Sequence, residues 1–311
     1  MENKDHKQII FIDSGLPGPG VLISAGVHGD EYEPMLAVME LVTEVSSLLR
    51  AGSVTLIPVV NATAYETNSR YGEDGLDLAR ICPGRTDGSS SETAAAMISS
   101  HIQQADYYID LHTGGKLFNI YPLAGYMLHP VATVLEEQRN MARAFNLPLI
   151  WGTEGSPDGR TLSIARDANV PAIYIEYGGG NSVKEEIAAL LKEGCLNVLN
   201  SLSMIKLEGE NSSCLKYWVE DYTPGGGYLQ GKFPSPASGI FIAATVVGAN
   251  VNKGQLWGNV VNPVTHQRTE IIVAEAGIAL FVRDAAYVKE GEALGGILPV
   301  SASGKLIING K

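Results

Sequence analysis

The sequence predicts an α/β fold, with helices on both faces of a sheet, followed by a small all-β domain. Apolar strand-like runs alternate with helix-spaced segments through the first two thirds of the 311 residues. After Lys206 the helices stop, and short β-like runs broken by Gly and Pro take over. Several early apolar runs also end in residues capable of chemistry, at the place where open α/β sheets bind their ligands.

The elements follow in order. "QIIFID" and "GVLISAGV" read as strands around "SGLPGPG", a turn by composition. "EPMLAVMELVTEVSSLL" has helical apolar spacing, and "SVTLIPVV" is a buried strand. "SETAAAMISSHIQQ" carries a helix-start signal in its Ser and Glu. "DYYIDL" is a strand, "PVATVLEEQRNMARAF" a helix, and "LPLIW" and "VPAIYIEY" are strands. "SVKEEIAALLKEGCLNVLNSLSMI" is the last helix. "LEGENSS" is a polar linker, which sets domain boundaries of 1–207 and 208–311. Beyond it, "GIFIAATVV", "EIIVAEA", "IALFVR" and "KLIING" are the β-runs of a barrel or sandwich.

Bulk properties narrow the function. A net charge of −12 weighs against a nucleic-acid surface, which needs a basic face. No apolar run reaches the roughly 20 residues of a membrane span. The N-terminus "MENKDHKQ" lacks the apolar core of a signal peptide. Cys82, Cys195 and Cys214 are odd in number and lack CxxC spacing, so they read as free thiols of a cytoplasmic protein.

The polar run-ends carry the chemistry. "VLISAGV" ends in His28-Gly29-Asp30-Glu31, "TLIPVV" in Asn61, "YYIDL" in His112, and "AIYI" in Glu176 ahead of Gly178-Gly179-Gly180. One sheet would bring these ends to one rim. His28 and Glu31 stand three apart, a weak signal alone, but they follow a strand directly. Gly29 would let the backbone approach a ligand. With His112 they make two His and one Glu, a recognised catalytic zinc set. Asp110 points to the same side of its strand as His112 and is placed to hold the other ring nitrogen, although a plain strand-face carboxylate reads almost as well. Glu176 is the candidate base for such a site, and the glycines behind it suggest crowded backbone. The loop "TNSRYGEDGLDLARICPGR" adds Arg70, Arg80 and Arg85, whose guanidinium groups suit a carboxylate clamp or an oxyanion.

Together, "GVHGDE", "DGLDLAR.CPG", "DLHTGG" and "IEYGG" resemble the succinylglutamate desuccinylase/aspartoacylase family, a branch of the zinc carboxypeptidase-like hydrolases. The resemblance spans roughly Val21 to Asn181, and more loosely the β domain. It implies a three-layer α/β/α domain with a mixed sheet, and a β domain that narrows the mouth of the site. It implies one zinc ion per chain on His28, Glu31 and His112, and Glu176 as general base. Arg70 would polarise the scissile carbonyl, and Arg80 would hold a substrate carboxylate. Here the family's "DLNR" reads "DLAR", so Ala79 removes a side-chain amide from substrate recognition. "RDAAYVKEGEAL" resembles an aspartoacylase stretch whose tyrosine reaches the substrate, which adds Tyr287. With the run-end Asn61, the expected substrate-binding set is Arg80, Asn61 and Tyr287. Either Arg160 or Arg166 would supply a further carboxylate contact. The β domain also resembles biotin- and lipoyl-carrier domains, but its expected tip near "VAEAGI" has no Lys, so no attached prosthetic group is expected.

The leading reading is a zinc-dependent deacylase acting on a small-molecule N-acylated amino acid or a similar small amide. A metallocarboxypeptidase for short peptides shares its chemistry. A catalytically silent binding protein of the same fold has only Ala79 in its favour. Self-association into a homo-oligomer is left open by the sequence.

Overall fold

The computed structural model describes residues 9–209, 212–222, 224–225 and 233–299. Residues 1–8, 210–211 of the linker, and the expected strand "KLIING" at 305–310 lie outside the described residues.

The chain opens with β1 (Ile10–Asp13), β2 (Gly20–Ser24), helix α1 (Tyr32–Leu48) and β3 (Ser53–Ile57). A short helix α2 (Ala62–Glu66) and a 3-10 turn (Leu78–Arg80) lead to α3 (Ser90–Gln104). Then come β4 (Tyr107–His112), β5 (Phe118–Met127), α4 (Ala132–Phe145) and β6 (Leu149–Thr153). Helix α5 (Thr161–Asp167), β7 (Ala172–Gly178), α6 (Glu185–Ser201) and β8 (Tyr217–Glu220) follow. The remaining strands are β9 (Gly239–Ala243), β10 (Asn250–Val251), β11 (Leu256–Asn262), β12 (Gln267–Ile272), β13 (Gly277–Arg283), β14 (Tyr287–Val288) and β15 (Gly295–Pro299).

The main sheet is mixed. Strands β3, β2, β4 and β7 run parallel, while β1 and β5 join antiparallel on either side. Alternation along β2 and β4 explains the three layers. Val21, Ile23, Ile109 and Leu111 face a core shared with α1, α4 and α6. Leu22 and Tyr108 face the opposite core, built with α3 and α5. Helix α3 begins at a capping box, in which the Ser89 N–H donates to Glu92 Oε2 at 2.9 Å.

Several elements are absent from the sequence-based expectation, α2, β8 and β11 among them, and two of those in the main domain have a clear local reason. Strand β5 contains Pro122, which argues against a strand because it lacks an N–H. The structure accommodates it at a register shift between Ile120 and Leu123, where the ladder with β7 is interrupted. Helix α5 spans only seven residues, too short to show a helical period.

The expected boundary at 207/208 does not interrupt the sheet. Strand β8 pairs in parallel with β6, and β13 pairs with β5 through Phe281–Ile120 and Arg283–Phe118. The C-terminal strands thereby extend the main sheet, and β12-β11-β9-β14 form a separate four-stranded sheet. Its core surrounds the fully buried Trp257. Among the described residues, no helix is long and apolar enough to cross a membrane.

Candidate metal centre and active site

The end of β2, the end of β4, the start of α1 and strand β7 converge on one cavity of about 360 Å³. Glu31 immediately precedes α1, and its carboxylate sits between two imidazoles. His28 Nδ1 lies 2.7 Å from Glu31 Oε1, and His112 Nδ1 lies 2.9 Å from Glu31 Oε2. The Thr113 N–H donates to the same Oε2 at 3.2 Å. All three side chains are buried, and one donor atom from each lies within 4.8 Å of the others.

Each imidazole turns its second nitrogen to another carboxylate. His112 Nε2 lies 3.1 Å from Asp110 Oδ2, and His28 Nε2 lies 3.3 Å from Asp77 Oδ1. Such outer partners fix the ring orientation of metal-ligating histidines. Asp110 thus stands where its position on the strand places it. Asp77 was not singled out in the sequence. It opens the 3-10 turn by accepting from Ala79 N at 3.0 Å, and it takes Arg70 Nε at 3.0 Å. The available signal is a carboxylate in the same loop as three arginines.

Charge follows this geometry. Burial opposes ionisation of Glu31, but His28 and His112 outweigh it and hold the carboxyl well below its usual range. Asp110 and Asp77 are also held low against their burial, by His112 and by His28 with Arg70 respectively. Burial disfavours a charged His112 ring, yet Asp110 and Glu31 raise its pKa well above normal.

Glu176 stands apart from this network. It pairs in register with His112 across β4 and β7, so both side chains rise on the same face. Burial, with the negative charges of Glu31 and Asp110, pushes its carboxyl up to about 8, against the pull of His112 and Arg70. Its Oε2 is buried and has no hydrogen-bond partner among the described residues. A buried polar atom left unpaired in a native fold calls for an explanation, and a group waiting for a reaction partner is one.

The donor set fits a divalent cation. It is a compact N, N, O arrangement, buried, with carboxylates behind both imidazoles and the carboxylate of Glu176 in the same cavity. His28, Glu31 and His112 would hold the ion.

Other expected residues divide. Arg70, Arg80 and Arg160 line the cavity, and Arg80 Nη1 donates to Ala79 O at 2.7 Å. Arg166 does not line it; its guanidinium is engaged by Asp167, Asp158 and the Gly155 carbonyl. Asn61 is buried outside the lining. Its Oδ1 caps α2 at Ala64 N, and its Nδ2 donates to Ser91 Oγ at 3.2 Å. That amide is committed to local structure. The Tyr287 side chain is exposed on β14, away from the cavity, and its carbonyl accepts from Arg283 Nη2. The structure therefore brings neither Asn61 nor Tyr287 to the site.

Gly29 serves a different contact from the one expected. A Cβ there would fall 1.9 Å from the Ala64 carbonyl carbon, so Gly29 permits α2 to pack, not a ligand. The C-terminal strands contribute Phe281, Arg283, Glu292 and Ala293 to the cavity wall. Arg283 was also missed. It is buried, and it binds the Ala285, Ala293 and Tyr287 carbonyls and Glu292 Oε2, tying the 284–293 segment to the wall.

Residues 17–202 match the succinylglutamate desuccinylase/aspartoacylase catalytic domain. The chain belongs to that family. The chain is similar in sequence to the N-alpha-acetyl-L-2,4-diaminobutyric acid deacetylase of Halomonas elongata, 28% identical over 77% of this chain and 69% of that one. The fold is similar to a succinylglutamate desuccinylase/aspartoacylase from Rhodobacter sphaeroides, with TM-score 0.81, 25% identity, and coverage of 93% of this chain and 88% of that one. A product-bound structure of the ectoine utilization protein EutE (DoeB) from Ruegeria pomeroyi gives TM-score 0.83, 25% identity, and coverage of 93% and 87%.

Proposed function

We propose that this chain is a zinc-dependent amidohydrolase that removes the acyl group from a small N-acylated amino acid, with one ion per chain. The observation that carries this reading is Glu176, a buried carboxylate with an unpartnered oxygen, on the strand beside His112 and in the cavity of the His28–Glu31–His112 set. When bound, the ion supplies Lewis acidity and a water acidified toward neutral pH.

The chain's own residues do the rest. Glu176 Oε2 accepts the proton of the attacking water and later delivers it to the leaving amine nitrogen. In the metal-free chain burial holds this carboxyl above its usual range, and a bound cation would draw it back toward the proton-accepting form. Arg70 donates to the oxygen that gains charge as the carbonyl is attacked. Arg80 and Arg160, on the cavity wall, clamp substrate carboxylates. Ala79 offers no hydrogen bond there and leaves a methyl where an amide would stand. In this reading residues 1–207 carry the chemistry, and residues 208–311 cap the cavity through Phe281, Arg283, Glu292 and Ala293. A cytoplasmic location is supported by free thiols at Cys82, Cys195 and Cys214.

The similarity to a deacetylase of an Nα-acetylated diamino acid supports a small N-acyl amino acid as substrate. The test is a deacylation screen of zinc-loaded and metal-stripped protein against N-acetyl and N-succinyl amino acids. Zinc-dependent release of a free amino acid is expected. Zinc binding without turnover on any member, together with substrate binding, would favour the silent binding protein.

A further inference from the structure

The proposed centre depends on Asp110 holding the His112 ring, and Asp110 is itself held. It is fully buried, and its two oxygens have separate hydroxyl partners. Thr161 Oγ1 donates to Oδ2 at 2.5 Å, and Ser24 Oγ donates to Oδ1 at 3.1 Å. The Ser24 hydroxyl is also 2.8 Å from the Tyr108 hydroxyl on the same strand as Asp110. Thr161 and Ser24 are both buried. These hydroxyls restrict the carboxylate to the orientation that meets His112 Nε2.

Thr161 is the more consequential of the two because of its place in the chain. It is the first residue of α5, and its neighbours Arg160 and Leu162 both line the cavity. The turn is locked locally, with the Arg160 N–H donating to Ser163 Oγ at 2.9 Å. Just before it, Gly159 lies against the Arg80 backbone, so closely that a Cβ would fall 2.4 Å from the Arg80 carbonyl oxygen. The Cys82 N–H donates to the Gly159 carbonyl at 3.0 Å. One short segment therefore touches the turn that carries Arg80, presents Arg160, and grips the carboxylate behind His112.

We propose that Thr161 is a positioning residue of the metal centre: through Asp110 it sets the His112 ring, and it fixes the cavity-lining start of α5 to that ligand. This inference rests on His112 being a metal ligand. A Ser or Thr at this point is required for its hydroxyl, not for its bulk. Ser24 serves the same carboxylate from the β2 side.

The experiment measures zinc affinity of the metal-stripped full chain by competition with a chromophoric chelator, alongside the melting temperature of the metal-free protein. Thr161→Val keeps the shape and removes the donor. Its zinc Kd should rise about 10–100-fold, the range for loss of an outer partner. Thr161→Ser should return the Kd to within about threefold of wild type, because the hydroxyl is restored. A Thr161→Val chain that binds zinc as tightly as wild type overturns the inference, even if its melting temperature falls, since a purely structural role moves only the latter. Wild-type protein without zinc affinity removes the metal reading and this inference together, whereas equal affinities in wild type and Thr161→Val remove this inference alone. Should Thr161→Val fail to fold, Thr161→Ala carries the test, with the same rise in Kd of about 10–100-fold expected and an unchanged Kd overturning the inference.

Discussion

Glu31 and Glu176 are buried carboxylates in the same cavity, and their surroundings could hardly differ more. Glu31 has an imidazole on each oxygen and a backbone N–H besides. Glu176 has an oxygen with no partner among the described residues. Burial acts on both in the same direction, so it is the partners that separate them: Glu31 falls well below the usual carboxylate range, and Glu176 rises to about 8. A carboxylate that is always ionised is fit to hold a cation. One that titrates near neutrality is fit to take and return a proton. Environments that push paired groups apart assign their roles.

The sharpest way to break this contrast is Glu176→Gln. The substitution keeps the shape and removes the proton acceptor. Turnover should fall by about 10²–10⁴-fold, toward the upper end because one residue serves two steps. Zinc content should stay at the wild-type level. A variant with full zinc and more than about a tenth of wild-type kcat, well above the range for loss of a general base, would take Glu176 out of the chemistry.

The Glu31 side is tested by His112→Ala. It removes a proposed ligand and leaves Glu31 and Asp110 each short of an imidazole. Zinc affinity should drop by more than the roughly 10–100-fold expected for an outer partner. Metal analysis after dialysis against chelator reads the result, and wild-type zinc retention would defeat the ligand assignment.

The arginines sharpen the contrast between binding and chemistry. Arg70 reaches Asp77 and lies 3.5 Å from His28 Nδ1 through Nη1, beside the proposed centre. Arg70→Ala should mainly lower kcat, by about 10²–10³-fold, as does loss of an oxyanion donor. Arg80→Ala should mainly raise KM for a carboxylate-bearing substrate, since its contact is equal in ground and transition states. Steady-state kinetics showing the reverse split would exchange the two roles.

Much of this contrast is legible in the sequence because it lies at run-ends. His28, Glu31, His112 and Glu176 follow or finish apolar strands, and a sheet that buries those strands gathers their ends. What sequence could not show depends on contacts between distant segments. Asp77 acquires its meaning from His28, 49 residues away, and Thr161 from Asp110, 51 residues away. Asn61 stands beyond a strand end just as His28 does, but the local capping of α2 claims its side-chain oxygen and Ser91 its amide nitrogen. Strand β5 was hidden by Pro122 and by Gly125, where a Cβ would fall 2.1 Å from the Tyr174 ring packed across it. Tyr287 lies on a two-residue strand, where one residue of register decides whether a side chain faces the cavity or solvent.

The smallest expected effect is on stability, and it reports on Glu176 without any catalysis. In metal-free protein this carboxyl titrates near 8, above its ordinary value of 4.5. Folding therefore favours its protonated form. The stabilisation is complete below about pH 4.5, and is lost as pH rises through about 8. Glu31, Asp77 and Asp110 have the opposite sign, and their contributions are lost only in acid, below the usual carboxylate range. His112, raised above its normal value, also loses stability on the alkaline side, but it is present in both wild type and Glu176→Gln. The difference between the two proteins thus reports Glu176 together with its charge interactions with His112, Glu31, Arg70 and Asp110. Metal-free wild type should lose on the order of a few kcal/mol relative to Glu176→Gln between pH 5 and 9. At about 2–4 °C per kcal/mol for a chain of this size, that is a relative fall of several degrees in Tm. Gln introduces an amide into the same unpartnered position, a cost that is constant across this range, so the slope and not the offset carries the result. Parallel Tm curves for the two metal-free proteins would mean that Glu176 is ionised throughout, and the contrast with Glu31 would collapse to one of position alone.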